Sequence, residues 1–387
     1  MLEDLLSPRL LHLRAQVETI CNEIIAPAAH AVDAEGLWPG ASLSALKQAG
    51  LTGLSVPAKF GGLGEGLLGL VTVTEALGAA CSSTSMCFGM HCVASAVVAA
   101  KSSALSEEKY LRPIAEGRHL TTLALSESGT GAFFFLPETS LHRDGAELIL
   151  RGEKQFVTNG AHADSYVVST TASVAAAQGD FSCLVVDAEA AGLEWGDPWS
   201  GLGMRGNSSR AMRLNDVKVP DSQLLGQEGD QVWFVFEVVA PFFLMAMAGT
   251  YLGIAQAALD LAISHVTARR HTHSGSLLAD ADIVQHRVAE LWTALQKSRL
   301  LVYHAARLGD AAQPDALNYL LASKADVART AVQITNEAMS LCGGMAYREN
   351  SALARLLRDA RASHVMSPTT ELLTGWTGRG VLGLPLF

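Results

Sequence analysis

The spacing of apolar residues changes twice along the chain and divides it into three segments. Over residues 1–119, apolar residues recur three or four positions apart, as from Leu10 to Leu13, which predicts amphipathic helices. Residues 120–230 instead hold short β-branched and aromatic runs that end in Gly, Asn or Pro, which predicts strands. The helical period returns over residues 231–387 in long segments joined by short turns. We therefore predict an α+β fold with an N-terminal all-α domain, a central β-barrel domain and a C-terminal four-helix bundle.

Two predicted strand ends in the central segment carry hydroxyl groups next to small residues. The first reads ALSESGTG over residues 124–131, and the second reads GEKQFVTNG over residues 152–160. An Asn-Gly pair after a β-branched, aromatic run is a strong turn signal, because both residues tolerate positive φ. Ser126, Thr158 and the backbone amides of such turns can hydrogen-bond the edge of a flat heteroaromatic cofactor.

Composition restricts the partners and the compartment. The net charge is −10, and no cluster holds more than two or three basic residues, which argues against a nucleic-acid partner. The six cysteines are scattered without a Cys-x-x-Cys motif, so we expect a reduced, cytoplasmic protein rather than a disulfide framework. His271 and His273 have no acid or cysteine nearby in sequence, and we therefore expect no metal site.

One apolar run is long enough to be considered as a membrane span. Val238–Ala255 contains 18 residues without a charge, which is the lower limit for a spanning helix. Pro241 and two glycines interrupt the run, and its helical period continues into Asp260. We therefore predict a buried core helix and no membrane span. The N-terminus is amphipathic and carries acids early, which indicates a helix rather than a signal peptide.

The two strand ends resemble the paired flavin-contacting strands of the acyl-CoA dehydrogenase family, usually written TEPxAGSD and KxWITNG. The resemblance extends to FGGLG at residues 60–64, DVKVP at residues 216–220 and LCGGMAY at residues 341–347. It implies the three-domain fold of that family, with a non-covalent FAD between the β domain and the C-terminal bundle.

The resemblance also implies which residues bind FAD. Leu125 and Ser126 match the pair that contacts the flavin ring, and Phe156 matches the aromatic residue that packs on it. Thr158 matches the residue that hydrogen-bonds near N5. The further positions implied to contact the cofactor are Arg269, Gly343, Gly344, Thr369 and Glu371.

Arg269 matches an arginine that reaches the FAD pyrophosphate of a neighbouring subunit. Its forked guanidinium suits phosphate oxygens, and the match implies a homodimer or homotetramer. Gly343 and Gly344 match the glycine pair at the adenine end of the cofactor. Thr369 and Glu371 match the last FAD-contacting segment.

Family chemistry is the α,β-dehydrogenation of an acyl thioester, for which a carboxylate in a dry pocket removes the α-proton. Most members supply this base from the glutamate of RDxRxxxxYEGT. Residues 358–369 read RDARASHVMSPT here, so that Ser367 occupies the position of that glutamate. A minority of members place the base on an earlier bundle helix, where this chain has Phe243 and Leu244. Both positions known for the base therefore lack a carboxylate.

Other residues were considered for the missing base. Glu371 lies one helical turn after Ser367, and His364 lies three residues before it, where a group that titrates near neutrality could approach the pocket. Glu127 matches the acid of the TEP motif, for which a structural role is favoured. Ala132 and Phe133 replace the serine and aspartate of AGSD.

Three functions follow as hypotheses. The first is an FAD-dependent dehydrogenation of an acyl thioester on coenzyme A or a carrier protein, with an electron-transfer flavoprotein as the expected acceptor. The second is a monooxygenase of the same fold that takes reduced flavin from a partner flavin reductase. The missing glutamate favours the second hypothesis, whereas the match of the N-terminal loop and of the TNG, DVKVP and CGGMAY segments favours the first. The third is a non-catalytic flavin-binding paralogue that serves as a partner subunit.

Overall fold

The computed structural model describes residues 2–174, 181–229 and 233–386. The predicted boundary at residue 230 and the predicted helix start at Gln231 lie outside the described residues, and the domain boundaries remain predictions. The described order is helices, then strands, then helices.

The N-terminal segment is helical. Its α-helices are α1 Leu2–Leu5, α2 Pro8–Ile20, α3 Ala26–Ala34, α4 Gly40–Gln48, α5 Leu67–Ala80, α6 Ser82–Ala100, α7 Ala104–Ser106 and α8 Arg112–Ala115. Helix α2 begins where its sequence predicts, because the Ser7 hydroxyl accepts a bond from the Leu10 amide and Pro8 occupies the first helical position. Gly50 follows α4 with a φ of 73°, a conformation that glycine adopts without strain.

The middle segment forms two four-stranded sheets. Its strands are β1 Thr121–Ala124, β2 Ser140–Asp144, β3 Glu147–Val157, β4 Ser165–Thr171, β5 Phe181–Asp187, β6 Leu193–Trp195, β7 Arg210–Pro220 and β8 Leu224–Leu225. The strand orders are β1-β4-β5-β8 and β2-β3-β7-β6, and β1 pairs with β4 in parallel. Neither sheet closes on itself in the described residues, so the predicted β-barrel is corrected to two open sheets.

The C-terminal segment is helical again. Its α-helices are α9 Ala240–Ala268, α10 Asp282–Asp310, α11 Ala316–Cys342, α12 Ala352–Val365 and α13 Thr370–Val381. A π-helical turn at Phe234–Val239 leads directly into α9. Three long helices, α9 to α11, are thus followed by two shorter ones, α12 and α13, which are separated by a turn at residues 366–369.

Two helices are long and apolar enough to cross a membrane by composition, namely α6 and the continuous helix Phe234–Ala268. Within the fold, 89% of the α6 window and 83% of the other window are buried. Both are therefore packed as core helices, as was predicted for Val238–Ala255.

The contact between α5 and α9 depends on glycine. A Cβ atom on Gly253 would lie 2.2 Å from the Glu75 carbonyl oxygen and 2.5 Å from the Ala79 amide nitrogen. On the facing helix, a Cβ atom on Gly78 would lie 2.4 Å from the Thr250 carbonyl oxygen. The two backbones approach so closely that no side chain fits between them.

Replacing Gly253 with alanine is expected to destabilise the protein by about 1–3 kcal/mol, because the backbone of α5 must move to admit the methyl group. Urea denaturation measures this effect. Gly375→Ala is the matched control: no heavy atom lies within 4 Å of its added Cβ, and alanine favours a helix over glycine. Equal stability of the two variants would contradict the close-packing argument.

Helix α12 is fixed to both other segments by two adjacent charged residues, Arg358 and Asp359. The buried Asp359 carboxylate accepts a bond of 2.6 Å from the Met204 amide, and Arg358 donates to the Leu202 carbonyl at 2.9 Å. Arg358 also forms an ion pair with Asp33. Burial raises the pKa of Asp359, with the Met204 amide acting against it. These contacts hold α12 against the loop at residues 201–208 and against the N-terminal helices.

Candidate active site

A cavity of about 760 Å³ lies where the two strand ends of the middle segment meet the C-terminal helices. This size is within the usual range for small-molecule and cofactor sites. Polar groups are few and come mainly from the strand ends and from the turn at residues 366–369. The apolar part of the wall includes Met86, Met90, Leu123, Leu125, Phe134, Val239, Phe243, Val365 and Met366.

The first strand end continues directly from β1 into the cavity wall. Leu125, Ser126 and Glu127 line the cavity immediately after the strand ends at Ala124. The Gln155 amide donates a bond of 2.7 Å to the Ser126 carbonyl, which joins this strand end to the second one.

The second strand end contains a β-bulge. The pairing of β3 with β7 shifts register between Lys154 and Val157, and Phe156 within that interval has a φ of 56°. Positive φ is unusual for a bulky residue and points to a constrained, functional position. The Phe156 side chain is 63% exposed, lines the cavity and touches the Trp199 ring edge-on at 5.9 Å between centroids.

These groups fit a planar ring with a polar edge, such as the flavin of FAD. Phe156 presents an aromatic ring that is largely exposed and lies nearly perpendicular to the Trp199 ring. The Thr158 hydroxyl has Ser209 as its partner at 3.5 Å, a weak bond that leaves it available to a ligand. Ser126 is half-buried in the same wall. The predicted ring contacts Leu125, Ser126, Phe156 and Thr158 therefore come together in one cavity.

A buried ion pair lies directly behind the first strand end. Lys154 is 0% exposed, and its Nζ lies 2.5 Å from Glu127 Oε1 and 3.1 Å from Ser169 Oγ. Glu127 also accepts bonds from the Glu138 amide and from the amide and hydroxyl of Thr139.

The ion pair determines the protonation of Glu127. Burial alone would raise the pKa of Glu127, but Lys154 and the donors from Thr139 and Glu138 lower it. Burial lowers the pKa of Lys154 to about 8, although Glu127 acts against that shift. A carboxylate that is held by these donors is a poor proton acceptor, which agrees with a structural role for Glu127.

The turn at residues 366–369 forms the wall from the C-terminal segment, and Met366, Ser367, Pro368 and Thr369 all line the cavity. The Ser367 hydroxyl donates to the Ala132 carbonyl at 3.3 Å, which bridges the turn to the middle segment. Thr369 caps α13 by accepting a bond from the Leu372 amide.

Both family positions for the base reach this region without a carboxylate. Ser367 and Phe243 line the cavity, whereas Leu244 is fully buried in the core. Among the described residues that line the cavity, Glu127 is the only ionisable one, and it is already paired. The cavity wall of the described chain thus offers no free carboxylate.

Two other candidates for the base do not line the cavity. Glu371 is exposed in the first turn of α13. His364 is absent from the cavity lining, and its Nε2 atom is buried without a hydrogen-bond partner. Burial, followed by the charge of Arg361, lowers the pKa of His364. The catalytic roles of Glu371 and His364 remain predictions.

Of the remaining cofactor positions, Thr369 lines the cavity, whereas Arg269, Gly343 and Gly344 are exposed and do not. Contact of Arg269 with the cofactor of a neighbouring subunit stays a prediction, as does contact of the two glycines with the adenine end of the cofactor. No group of three or more metal-ligating side chains occurs in the described part of the chain.

Two buried lysines near the site were not identified from the sequence. Lys154 and Lys324 are both 0% exposed and both bond to backbone that forms the cavity wall. Lysine is almost always exposed, so a lysine on an otherwise apolar face is normally predicted to extend its ammonium group into solvent. The only sequence signal for their burial was their spacing from the apolar residues of β3 and α11, which places both lysines on the buried face of their element.

Comparison with known proteins covers nearly the whole chain. Residues 7–118, 122–217 and 244–382 match the family models described as the N-terminal, middle and C-terminal domains of acyl-CoA dehydrogenase. The chain is 30% identical over 367 residues to the cyclohex-1-ene-1-carbonyl-CoA dehydrogenase of Geobacter metallireducens. The matched region covers 95% of this chain and 96% of the relative.

A second relative from the same organism, cyclohexane-1-carbonyl-CoA dehydrogenase, is 33% identical over 370 residues, or 93% of this chain and 94% of the relative. Among solved structures, acyl-CoA dehydrogenase from Geobacillus kaustophilus superposes with a TM-score of 0.90 at 25% identity. That match covers 97% of this chain and 98% of the other.

Proposed function

Because the chain belongs to the acyl-CoA dehydrogenase family, we propose that it is an FAD-dependent oxidoreductase that introduces a double bond into the acyl group of a thioester. The observation that carries this proposal is the convergence of Ser126, Phe156 and Thr158 on one cavity. FAD, when bound, would supply the acceptor for the hydride that the substrate loses, and this hydride carries both electrons of the oxidation.

The residues of the cavity have separate tasks in this reaction. Phe156 packs against the flavin ring, and the hydroxyls of Ser126 and Thr158 hydrogen-bond its edge. The apolar wall receives the acyl group and excludes water, which strengthens polar contacts within the site. Proton removal lacks a carboxylate at either family position, so that the substrate or a group outside the described wall must assist it.

The acyl group is proposed to be uncharged and alicyclic. Among the described lining residues there is no unpaired charged side chain that would bind a second carboxylate of a substrate. The two Geobacter relatives act, by name, on cyclohexane-1-carbonyl-CoA and cyclohex-1-ene-1-carbonyl-CoA. Six-membered cyclic acyl thioesters, on coenzyme A or a carrier protein, are therefore the first substrates to test.

The proposed partners follow from the same function. An electron-transfer flavoprotein is the expected electron acceptor. A homodimer or homotetramer is expected, because Arg269 is exposed and does not line the cavity of its own chain, so that it could serve as a cofactor ligand only across an interface.

A flavin monooxygenase of the same fold is the second candidate. The absence of a free carboxylate from the described cavity wall favours it, because hydroxylation by reduced flavin and oxygen needs no base for an α-proton. A partner flavin reductase would then replace the electron acceptor.

Anaerobic titration of the yellow protein with acyl thioesters tests the proposal. Cyclohexane-1-carbonyl-CoA is expected to bleach the flavin absorbance without added reductant, and the dicarboxylic glutaryl-CoA is expected to bleach it far less. The uncharged linear butyryl-CoA serves as the matched control for ring shape.

Other outcomes would replace the proposal. If no thioester bleaches the flavin absorbance, and a product forms once reduced flavin and oxygen are supplied, the protein is a monooxygenase. A protein that binds FAD but does neither would be a non-catalytic paralogue, and failure to bind FAD would exclude all of these functions.

A further inference from the structure

Lys324 connects the two helices on either side of the cavity-lining turn. The residue lies in the middle of α11, and its Nζ donates to the Ser363 carbonyl at 2.9 Å and to the Pro368 carbonyl at 3.2 Å. Ser363 belongs to the last turn of α12, and Pro368 lies two residues before α13. A single buried ammonium group therefore holds both ends of the turn.

The position is unfavourable for a lysine. Lys324 is 0% exposed, and among the described residues no carboxylate forms an ion pair with it. Burial lowers its pKa to about 7, and only the charge of the exposed Glu371 acts in the opposite direction. A buried charge without a counterion costs free energy that an apolar side chain of similar volume would not. Stability alone therefore does not account for a lysine here.

The held turn carries much of the cavity wall. Ser367, Pro368 and Thr369 line the cavity, and the Ser367 hydroxyl bonds to Ala132 on the opposite side. Loss of the two bonds from Lys324 would remove its donor from the Pro368 carbonyl and leave the Ser363 carbonyl with the Thr370 hydroxyl, at 3.3 Å, as its remaining side-chain donor. The three lining residues would then shift together, because they belong to one short segment between two helices.

We propose that Lys324 is a positioning residue, which holds the turn at residues 366–369 so that Ser367 and Thr369 face the bound substrate and cofactor. The inference rests on the proposed function, since it assigns Lys324 to the site at which the thioester and FAD are bound. Lys324 itself does not line the cavity and acts through the backbone carbonyls that it holds.

Two substitutions of equal length separate positioning from mere stability. Lys324→Met removes both the charge and the donors, whereas Lys324→Gln removes the charge but keeps N–H donors on a nitrogen one heavy atom short of the Nζ position. The Met variant is expected to keep a melting temperature close to that of the wild type, yet to lose about 100-fold in kcat/KM and to bind FAD more weakly. The Gln variant, which can still donate to one of the two carbonyls, is expected to lie between the Met variant and the wild type in activity and FAD affinity.

The proposal is overturned if the Met variant matches the wild type in both kcat/KM and FAD affinity. It is also overturned if melting temperature, FAD affinity and activity fall in parallel in both variants, which would indicate a structural role only. If the Met variant does not fold, the Gln variant decides alone: a loss of FAD affinity at an unchanged melting temperature supports positioning, and wild-type FAD affinity and kcat/KM from a side chain too short to reach both carbonyls contradict it.

FAD binding also separates this inference from the proposed function. If no thioester bleaches the flavin of the wild type, the proposed function fails. The FAD dissociation constants and the flavin absorbance spectra of the two variants still report the position of the turn, and a difference between Met and Gln would support the role of Lys324 independently of turnover.

Discussion

Lys154→Met is expected to lower the free energy of unfolding by about 3–5 kcal/mol, because it leaves a buried carboxylate without its cation. Lys154 is 0% exposed and Glu127 is 6% exposed, so that water replaces neither partner. The pair also stands behind Leu125 and Ser126, and we expect the variant to lose FAD together with stability. Urea denaturation at pH 7 and the flavin content after purification measure the two effects.

The pH dependence of this loss has a definite sign. In the wild type the pKa of Glu127 is lowered, so its contribution to stability is present above the ordinary pKa of a glutamate and is lost as the pH falls through the folded value. In Lys154→Met the unpaired carboxyl group takes up a proton more readily. The difference between variant and wild type should therefore be larger at pH 7 than near pH 4.

The double variant Lys154→Met with Glu127→Gln is the matched control. Removal of both charges should recover part of the lost stability. Replacing both members of a buried ion pair with neutral groups costs far less free energy than removing one member and leaving the other charged. A Lys154→Met protein as stable as the wild type at pH 7 would contradict the argument. The same substitution at Lys324 is expected to have little effect on stability, because its partners are carbonyls and not a carboxylate.

Much of the fold could be predicted from local patterns. The three-residue and four-residue spacing of apolar residues identified the helices, and Gly50 and Gly117 follow helical segments with positive φ. The closure of the strands into a barrel was predicted wrongly. The alternation of apolar and polar residues shows which face of a strand is buried but not which strand lies beside it. The parallel pairing of β1 with β4, across more than forty intervening residues, has no local signal.

The candidate site shows the same division between local and distant information. Ser126, Phe156 and Thr158 lie within short motifs, and the structure brings them to one cavity. The role of Lys324 depends on carbonyl groups 39 and 44 residues away along the chain, and carbonyls are the same in every residue type. No motif can encode such a contact, and only the tertiary packing of α11 against α12 and α13 creates it.

Ser367→Glu is expected to accelerate reduction of the flavin by a thioester about 100-fold or more, which is the lower end of what a general base contributes. Ser367 lines a mostly apolar cavity and is half-buried, so a carboxylate there would have a raised pKa and would be a competent proton acceptor. The loss of the Ser367 bond to Ala132 is a small cost, because a bond of 3.3 Å is weak. Stopped-flow absorbance under anaerobic conditions measures the rate.

Ser367→Gln is the matched control, since glutamine has the shape of glutamate without its basicity. A Glu variant that is fast where the Gln variant is slow would show that this cavity binds the α-carbon of the thioester beside residue 367 and lacks only the base. Phe243→Glu tests the second family position in the same way, because Phe243 lines the same cavity. If neither Ser367→Glu nor Phe243→Glu reduces the flavin faster than the glutamine variant at the same position, proton removal does not limit the reaction. The monooxygenase would then explain better why the cavity wall carries no base.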